Sequence, residues 1–275
     1  MDRKPSFYFS LAYAYFKATM KTNLQYKFDR FAITFAVFFR ELANVIIIIL
    51  MLNTFKVING WNMDEILFQY SFLFLSYSLF VLLFTGIRDF EDIVYAGDLD
   101  IYLFRPVGVL YQVIVSKIDY TAAVGHGCIG IFLFVRNANI VNVEWNFLNI
   151  CYLFVCIISG AVLQAAIFLF SSCLSFWTIK TKNIRNLIFF SARKFSSYPI
   201  SFYPNMIKKL LIFVIPFAFV NYYPAQFYLK KSQLWYEVKL LPWLSPMIAF
   251  ILFFVVYHIW KIGLKQYTST GNAMM

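Results

Sequence analysis

Six stretches of this chain are too long and too apolar for strands or surface helices: 31–55, 66–87, 111–135, 147–178, 208–224 and 244–262. A bilayer-spanning helix needs roughly 20 mostly apolar residues. Inside lipid every backbone donor and acceptor must be satisfied by the protein, which leaves helices or closed barrels. A barrel strand alternates apolar and polar residues, and these stretches do not. The chain therefore reads as an all-α membrane protein with six transmembrane helices. Composition agrees: 13% of the 275 residues are charged, against about 25% in a soluble domain.

A net charge of +11 raises the question of nucleic acid. The placement of the charges answers it. With the N-terminus inside, segments 1–30, 88–110, 179–209 and 261–275, together with Lys117, hold 18 of the 24 Lys and Arg. The outer loops hold Lys56, Arg136, Lys230, Lys231 and Lys239, and Arg40 lies within a span. This asymmetry orients a multi-pass membrane protein with both termini cytoplasmic. It also favours contact with anionic membrane lipid. With no basic soluble domain, nucleic acid is not an expected partner.

The chain reads as a single domain, 1–275. Residues 1–30 lack the uninterrupted apolar core and small-residue site of a cleavable signal. Their aromatics and cations suit an N-terminal interfacial helix along the inner leaflet, with a basic anchoring tail as the plainer reading. Residues 31–262 carry the spans and 263–275 form a cytoplasmic tail.

No phosphate-cradling GxxxxGK[ST], HExxH or GxSxG occurs, so any energy input from ATP would have to come from another chain. Cys128, Cys151, Cys156 and Cys173 fall in spans without ligand spacing, so no metal or cofactor is expected on this chain. Charges within spans are functional candidates. Arg40 and Glu41 are adjacent and point about 100° apart, so they are not expected to pair simply with each other. Interhelical or intersubunit hydrogen bonding is preferred to a substrate site, and Glu41→Ala is expected to impair assembly or transport. Asp119 and His126, seven apart, share one face; a proton relay stands beside a solvated Asp119 and a packing His126. Gln164, in "SGAVLQAAIF", reads as a packing position.

Pro216, Pro224, Pro242 and Pro246 crowd the last third, so the fifth span should be short or kinked. The aromatic-rich segment after it, with Pro224, Trp235 and Pro242, is either an ordinary outer loop with belt residues or a re-entrant pair of short helices. The inner loop 179–209 holds Tyr198-Pro199 and Tyr203-Pro204, so helix should pause near 197–204.

The stretch "GDLDIYLFRPVG" (97–108) spells a short helix. Gly97 breaks the preceding segment, Asp98 suits an N-cap, and Asp100 puts negative charge in the first turn. Pro106 ends the helix, because Arg105 before it is biased out of the α region. Two turns measure roughly 10 Å. Leu99 and Leu103 are four apart and share a face beside Tyr102, while Ile101 and Phe104 are left to pack back on the spans. That apolar face, flanked by Asp89, Glu91, Asp92, Asp98 and Asp100, suits a groove on a soluble partner. It suits a negative leaflet surface less well.

Three stretches resemble one family: "GDLDIYLFRPVG", "SSYPISFYPNMIKKLLIFVIPFAFVNYYPAQFYL" (196–229) and "WKIGLKQYTSTGN" (260–272). In order and spacing the chain resembles the permease subunits of bacterial type-two ABC exporters, in the branch with GDLD…RP, YP…PFAF and YxSTGN. The resemblance implies a six-helix subunit of the bacterial cell membrane. Such a subunit dimerises with an identical or paralogous permease and works with separate ABC ATPase subunits, which carry ATP and Mg. It implies that 98–106 is the ATPase-coupling helix and that a re-entrant hairpin precedes the last span. It also implies a pathway between two halves; the first span, with Arg40 and Glu41, is expected to line or border it. The competing reading is a self-contained proton-coupled carrier or channel using Arg40, Glu41, Asp119 and His126.

Overall fold

The computed structural model describes residues 5–53, 57–178, 181–231 and 240–268. Among them five helices are long and apolar enough to cross a membrane. These are α2 (Lys27–Asn53), α3 (Met63–Arg88, continued by α4, Phe90–Tyr95), α7 (Tyr120–Ile140), α8 (Phe147–Cys173) and α13 (Leu241–Gln266). At 1.5 Å per residue, α2 is about 40 Å long. The chain is an all-α membrane protein.

Helix α3 is the axis. It packs against α7, α8 and the short helix α6 (Val109–Ser116), and nearly all of its first half is buried. Small and polar residues draw its neighbours close, as they do where lipid supplies no hydrophobic drive between helices. Ser78 donates to the Ala123 carbonyl at 2.7 Å, Gln164 to Ser76 Oγ at 2.9 Å, and Ser172 to the Ile87 carbonyl at 3.1 Å. Gln164 is thus a buried joint between α8 and α3. Helices α2 and α13 are largely unburied.

Helix α2 joins α3 through a two-residue hairpin, Val57–Ile58 against Trp61–Asn62. Asn59 and Gly60 at its tip both have positive φ, the geometry that favours Asn-Gly in tight hairpins. Asn62 then caps α3 in a reciprocal capping box with Glu65. This is the Glu65 end of the bundle; the Arg88 end is opposite.

Two expected spans differ. The third does not begin at 111: α6 is a separate helix, and Asp119 starts α7 by accepting the Ala122 amide at 3.0 Å. The fifth, 208–224, is not one helix. It comprises α11 (Asn205–Lys209), a π-helical turn Leu210–Val214, a 3-10 turn Phe217–Phe219 and α12 (Tyr222–Leu229). Pro216 falls in the break, and Pro224 sits in the first turn of α12, where proline is tolerated.

The expected inner loop 179–209 instead contains a helical run beside α3. It is built from α9 (Lys182–Arg185), a π-helical turn Asn186–Phe190 and α10 (Ser191–Phe195). The run is antiparallel to α3. The Thr181 amide donates to Glu91 and Arg185 donates to the Arg88 carbonyl, both at 2.8 Å. Phe189 packs on Tyr77 and Phe80, and Gln69 donates to the Ser196 carbonyl at 3.4 Å. Helix then pauses at 197–204, as the two Tyr-Pro pairs require. Tyr198 bonds to Met51 Sδ near the Glu65 end. Phe217 lies back at the level of Phe189. Tyr228 donates to the Asn149 carbonyl and Lys231 pairs with Glu65. Residues 198–231 thus dip to mid-bundle and return to the end they left. Pro242 starts α13, its carbonyl accepting the Tyr152 hydroxyl at 2.7 Å. Trp235 lies outside the described residues.

Helix α1 (Pro5–Gln25) lies at the Arg88 end against α6, with Phe9, Tyr13 and Phe16 exposed and Phe7, Tyr8 and Tyr15 half-buried; Tyr26 separates it from α2.

Candidate functional site

Helices α2, α3 and α7 and the run 182–198 enclose a cleft of about 710 Å³. Its lining includes Arg40, Glu41, Tyr77, Asp119, His126 and Arg193. The sequence placed four of these; the structure brings them together and changes their partners.

Arg40 and Glu41 do pair with each other. Arg40 Nε and Nη2 reach Glu41 Oε1 at 3.1 and 2.8 Å. The 100° between neighbouring Cβ directions is bridged because the long guanidinium arm folds back over the helix. Glu41 is buried, and its Oε2 accepts Asn44 Nδ2 at 3.1 Å. Its Oε1 also lies 3.3 Å from His126 Nε2, which ties α2 to α7.

Asp119 and His126 line the same cleft but do not bond to each other. Asp119 caps α7 and faces Arg88 at 3.5 Å. His126 Nδ1 donates to the Ala122 carbonyl at 2.7 Å, one turn back on its own helix. In this arrangement the two residues face different partners, Asp119 toward Arg88 and His126 toward Glu41.

Sequence reasoning missed Arg193, Lys194 and Tyr77. The Arg193 guanidinium lies 3.8 Å from the centre of the Tyr77 ring, a close cation–π contact. The only signal was the π-helical run itself, and its cations pull its hydropathy below that of a span.

A second feature sits at the Arg88 end. Helix α4 ends in a Schellman turn: the Asp98 amide bonds to the Ile93 carbonyl and the Gly97 amide to the Val94 carbonyl, with Gly97 at φ 76°. Helix α5 (Leu99–Phe104) follows at once. Asp98 adopts helical backbone and its side chain makes no cap, so the expected N-cap is replaced by that turn. Arg105 is extended before Pro106, as expected.

The faces of α5 differ from those expected at Leu99, Ile101 and Phe104, whereas Leu103 is exposed as a docking face requires. Leu99 is 0% exposed, in the core, and Tyr102 packs beside it. Leu103 and Ile101 are exposed, and Phe104 is 89% exposed. The charges also differ. Asp89 is engaged by Arg88 and Lys117, and Glu91 is buried against Thr181 and Arg185. Only Asp92, Asp98 and Asp100 of the five acids remain near the outside.

Helix α5 is held firmly. Gln112 donates to the Tyr102 and Val107 carbonyls at 3.0 and 2.7 Å, and Arg105 reaches Tyr15 of α1 at 2.7 Å. A Cβ on Gly86 would overlap the Val113 carbonyl, so only glycine lets α6 lie this close to α3. Phe90, at the head of α4, packs on Trp260 and Phe176, which connects the α4–α5 platform to α13 and to the 3-10 turn Leu174–Phe176 that ends α8.

Comparison with known proteins gives one family. Residues 38–271 match the family model described as ABC-2 family transporter protein. No individually curated protein and no solved structure matches the chain. The match covers most of the cleft, the α4–α5 platform and the 198–231 dip, so this chain belongs to the ABC-2 family of transporter membrane proteins and is a permease of that type.

Proposed function

We propose that the chain is the membrane-spanning subunit of an ATP-driven exporter. Two permease chains, identical or paralogous, form the pathway between them, with α2 bordering it. Hydrolysis of ATP with Mg takes place on separate ATPase subunits. The Arg88 end, with α1 and α5, faces the cytoplasm, in keeping with the Lys and Arg asymmetry. The 198–231 dip is then the outward re-entrant hairpin, and the cleft is part of the substrate path.

The observation that carries this reading is α5. A six-residue helix presents Phe104 almost fully to solvent while Leu99 locks it to the bundle. A rigid apolar peg of this kind suits a groove on a soluble partner, where one buried aromatic dominates affinity. Closure of the ATPase pair would move α5, and through Phe90 and Trp260 the motion reaches α8 and α13.

The test is affinity purification of the tagged chain from its native membrane, followed by assay of Mg-dependent ATP hydrolysis in the eluate. The expected result is a co-purifying ATPase that Phe104→Asp removes. Substrate movement by the chain alone in liposomes, driven by a proton gradient, overturns the reading in favour of a carrier.

A further inference from the structure

The charges of the cleft do not balance. Four cations line it, Arg40, Arg88, Arg193 and Lys194, against two carboxylates, Glu41 and Asp119. Both carboxylates are consumed by the protein. Glu41 accepts from Arg40 and Asn44 and faces His126. Asp119 accepts from Thr121 and Ala122 and faces Arg88. The same contacts engage Arg40 and Arg88, and Asp89 adds a second partner for Arg88 at 2.9 Å.

Among the described residues no carboxylate lies within ion-pair distance of Arg193 or Lys194. Arg193 rests on Tyr77, and Glu41 acts on it only through space. The two cations, Arg193 partly buried and Lys194 exposed, sit between the levels of Phe189 and Ser196 along α3 rather than at the tip of the bundle. Cations at such depth are retained where they line a wet cavity or meet an anion.

The α2 wall is mixed: Ile33, Val37, Ile47 and Ile48 face the cleft beside Arg40, Glu41 and Asn44, which bond to one another through the Glu41 carboxylate, and α2 continues outward as an apolar, largely unburied helix. A basic floor beside the apolar residues of α2 disfavours a cationic drug, because among the described residues both lining carboxylates are already engaged. It also disfavours a neutral glycan, which would leave the cations unmet.

We infer that the cleft binds an amphiphile with an anionic headgroup, phosphate or carboxylate. The head is held by Arg193 and Lys194 and the apolar chain lies along α2. The inference deepens the exporter reading, on which it rests for calling the cleft part of the pathway.

The experiment is native mass spectrometry of the detergent-purified full chain, without ATPase or nucleotide. The probes are dodecyl phosphate and dioleoyl phosphatidic acid, each against its phosphocholine counterpart. The anionic probes should bind about tenfold more tightly, the scale of one charge-assisted hydrogen bond. Arg193→Gln with Lys194→Gln should abolish the preference, and Arg193→Lys with Lys194→Arg should retain it. Lys194→Gln alone, at an exposed position, should lose part of it and serves if the double variant does not fold. Whichever phosphate displaces the other identifies a soluble amphiphile or a bilayer lipid as the source, and either supports the site. Equal binding of charged and zwitterionic probes overturns the inference, as does a preference that survives the Gln variants. A positive result with no ATPase ever captured would sink the exporter reading alone; an ATPase complex that shows no charge preference would sink this site alone.

Discussion

Leu99 and Phe104, five residues apart on one short helix, face opposite ways: Leu99 is 0% exposed in the core and Phe104 is 89% exposed. The two therefore make different predictions. Phe104→Asp should detach the ATPase while the chain still inserts and folds. Truncating one central aromatic anchor typically costs 2 kcal/mol or more, so retention should fall about 30-fold or further. Leu99→Ala should instead lower stability, by about 2–5 kcal/mol for a fully buried leucine. Thermal unfolding of the purified variants, run beside co-purification, separates the two. Loss of the partner from Leu99→Ala with unchanged melting would contradict the assignment of faces.

Glu41 is the joint between α2 and α7. Glu41→Ala leaves Arg40 and Asn44 without their shared acceptor and removes the carboxylate beside the buried His126. A buried group that loses its partner costs about 1–3 kcal/mol, and the melting midpoint should drop accordingly. Arg40→Ala should cost less, because the Arg40 side chain is 61% exposed and water replaces its contact. Equal losses from both variants would show that Glu41 is not the keystone of this joint.

Gly86 sets the spacing between α3 and α6, and through Gln112 it positions α5. Gly86→Val forces the Val113 backbone away. Overpacking of this kind costs about 1–3 kcal/mol, and coupling should suffer beyond the stability loss. The measurement is ATPase stimulation at a temperature where the variant remains folded. Unimpaired stimulation would mean that α5 does not depend on this contact.

Tyr198 sits beside Met51, near the end of the bundle that carries Lys231. Single cysteines at 198 and at 231, in a background without the four native cysteines, should label from the same side. A cysteine at 104 should label from the other. Labelling of 198 together with 104 would restore the inner loop expected from sequence and overturn the 182–195 run as a membrane-depth element.

The sequence by itself determined the class and much of the punctuation. Long apolar windows place α2, α3, α8 and α13 because lipid demands length and apolarity whatever the neighbours are. Gly97 and Pro106 mark the limits of α5, and the Tyr-Pro pairs mark the pause at 197–204, because these are local backbone constraints. Only the tertiary structure decided the rest. A hydropathy window counts Arg193 and Lys194 as charges without knowing whether they meet lipid or a polar cleft, so a helical run packed along α3 was read as a loop and the broken 208–224 segment as a span. A helical wheel gives the faces of a six-residue helix but not which face finds protein, so Leu99 and Phe104 were interchanged. Arg40 and Glu41 look separate on the wheel, but a flexible side chain closes the gap once Glu41 is buried against His126 from another helix.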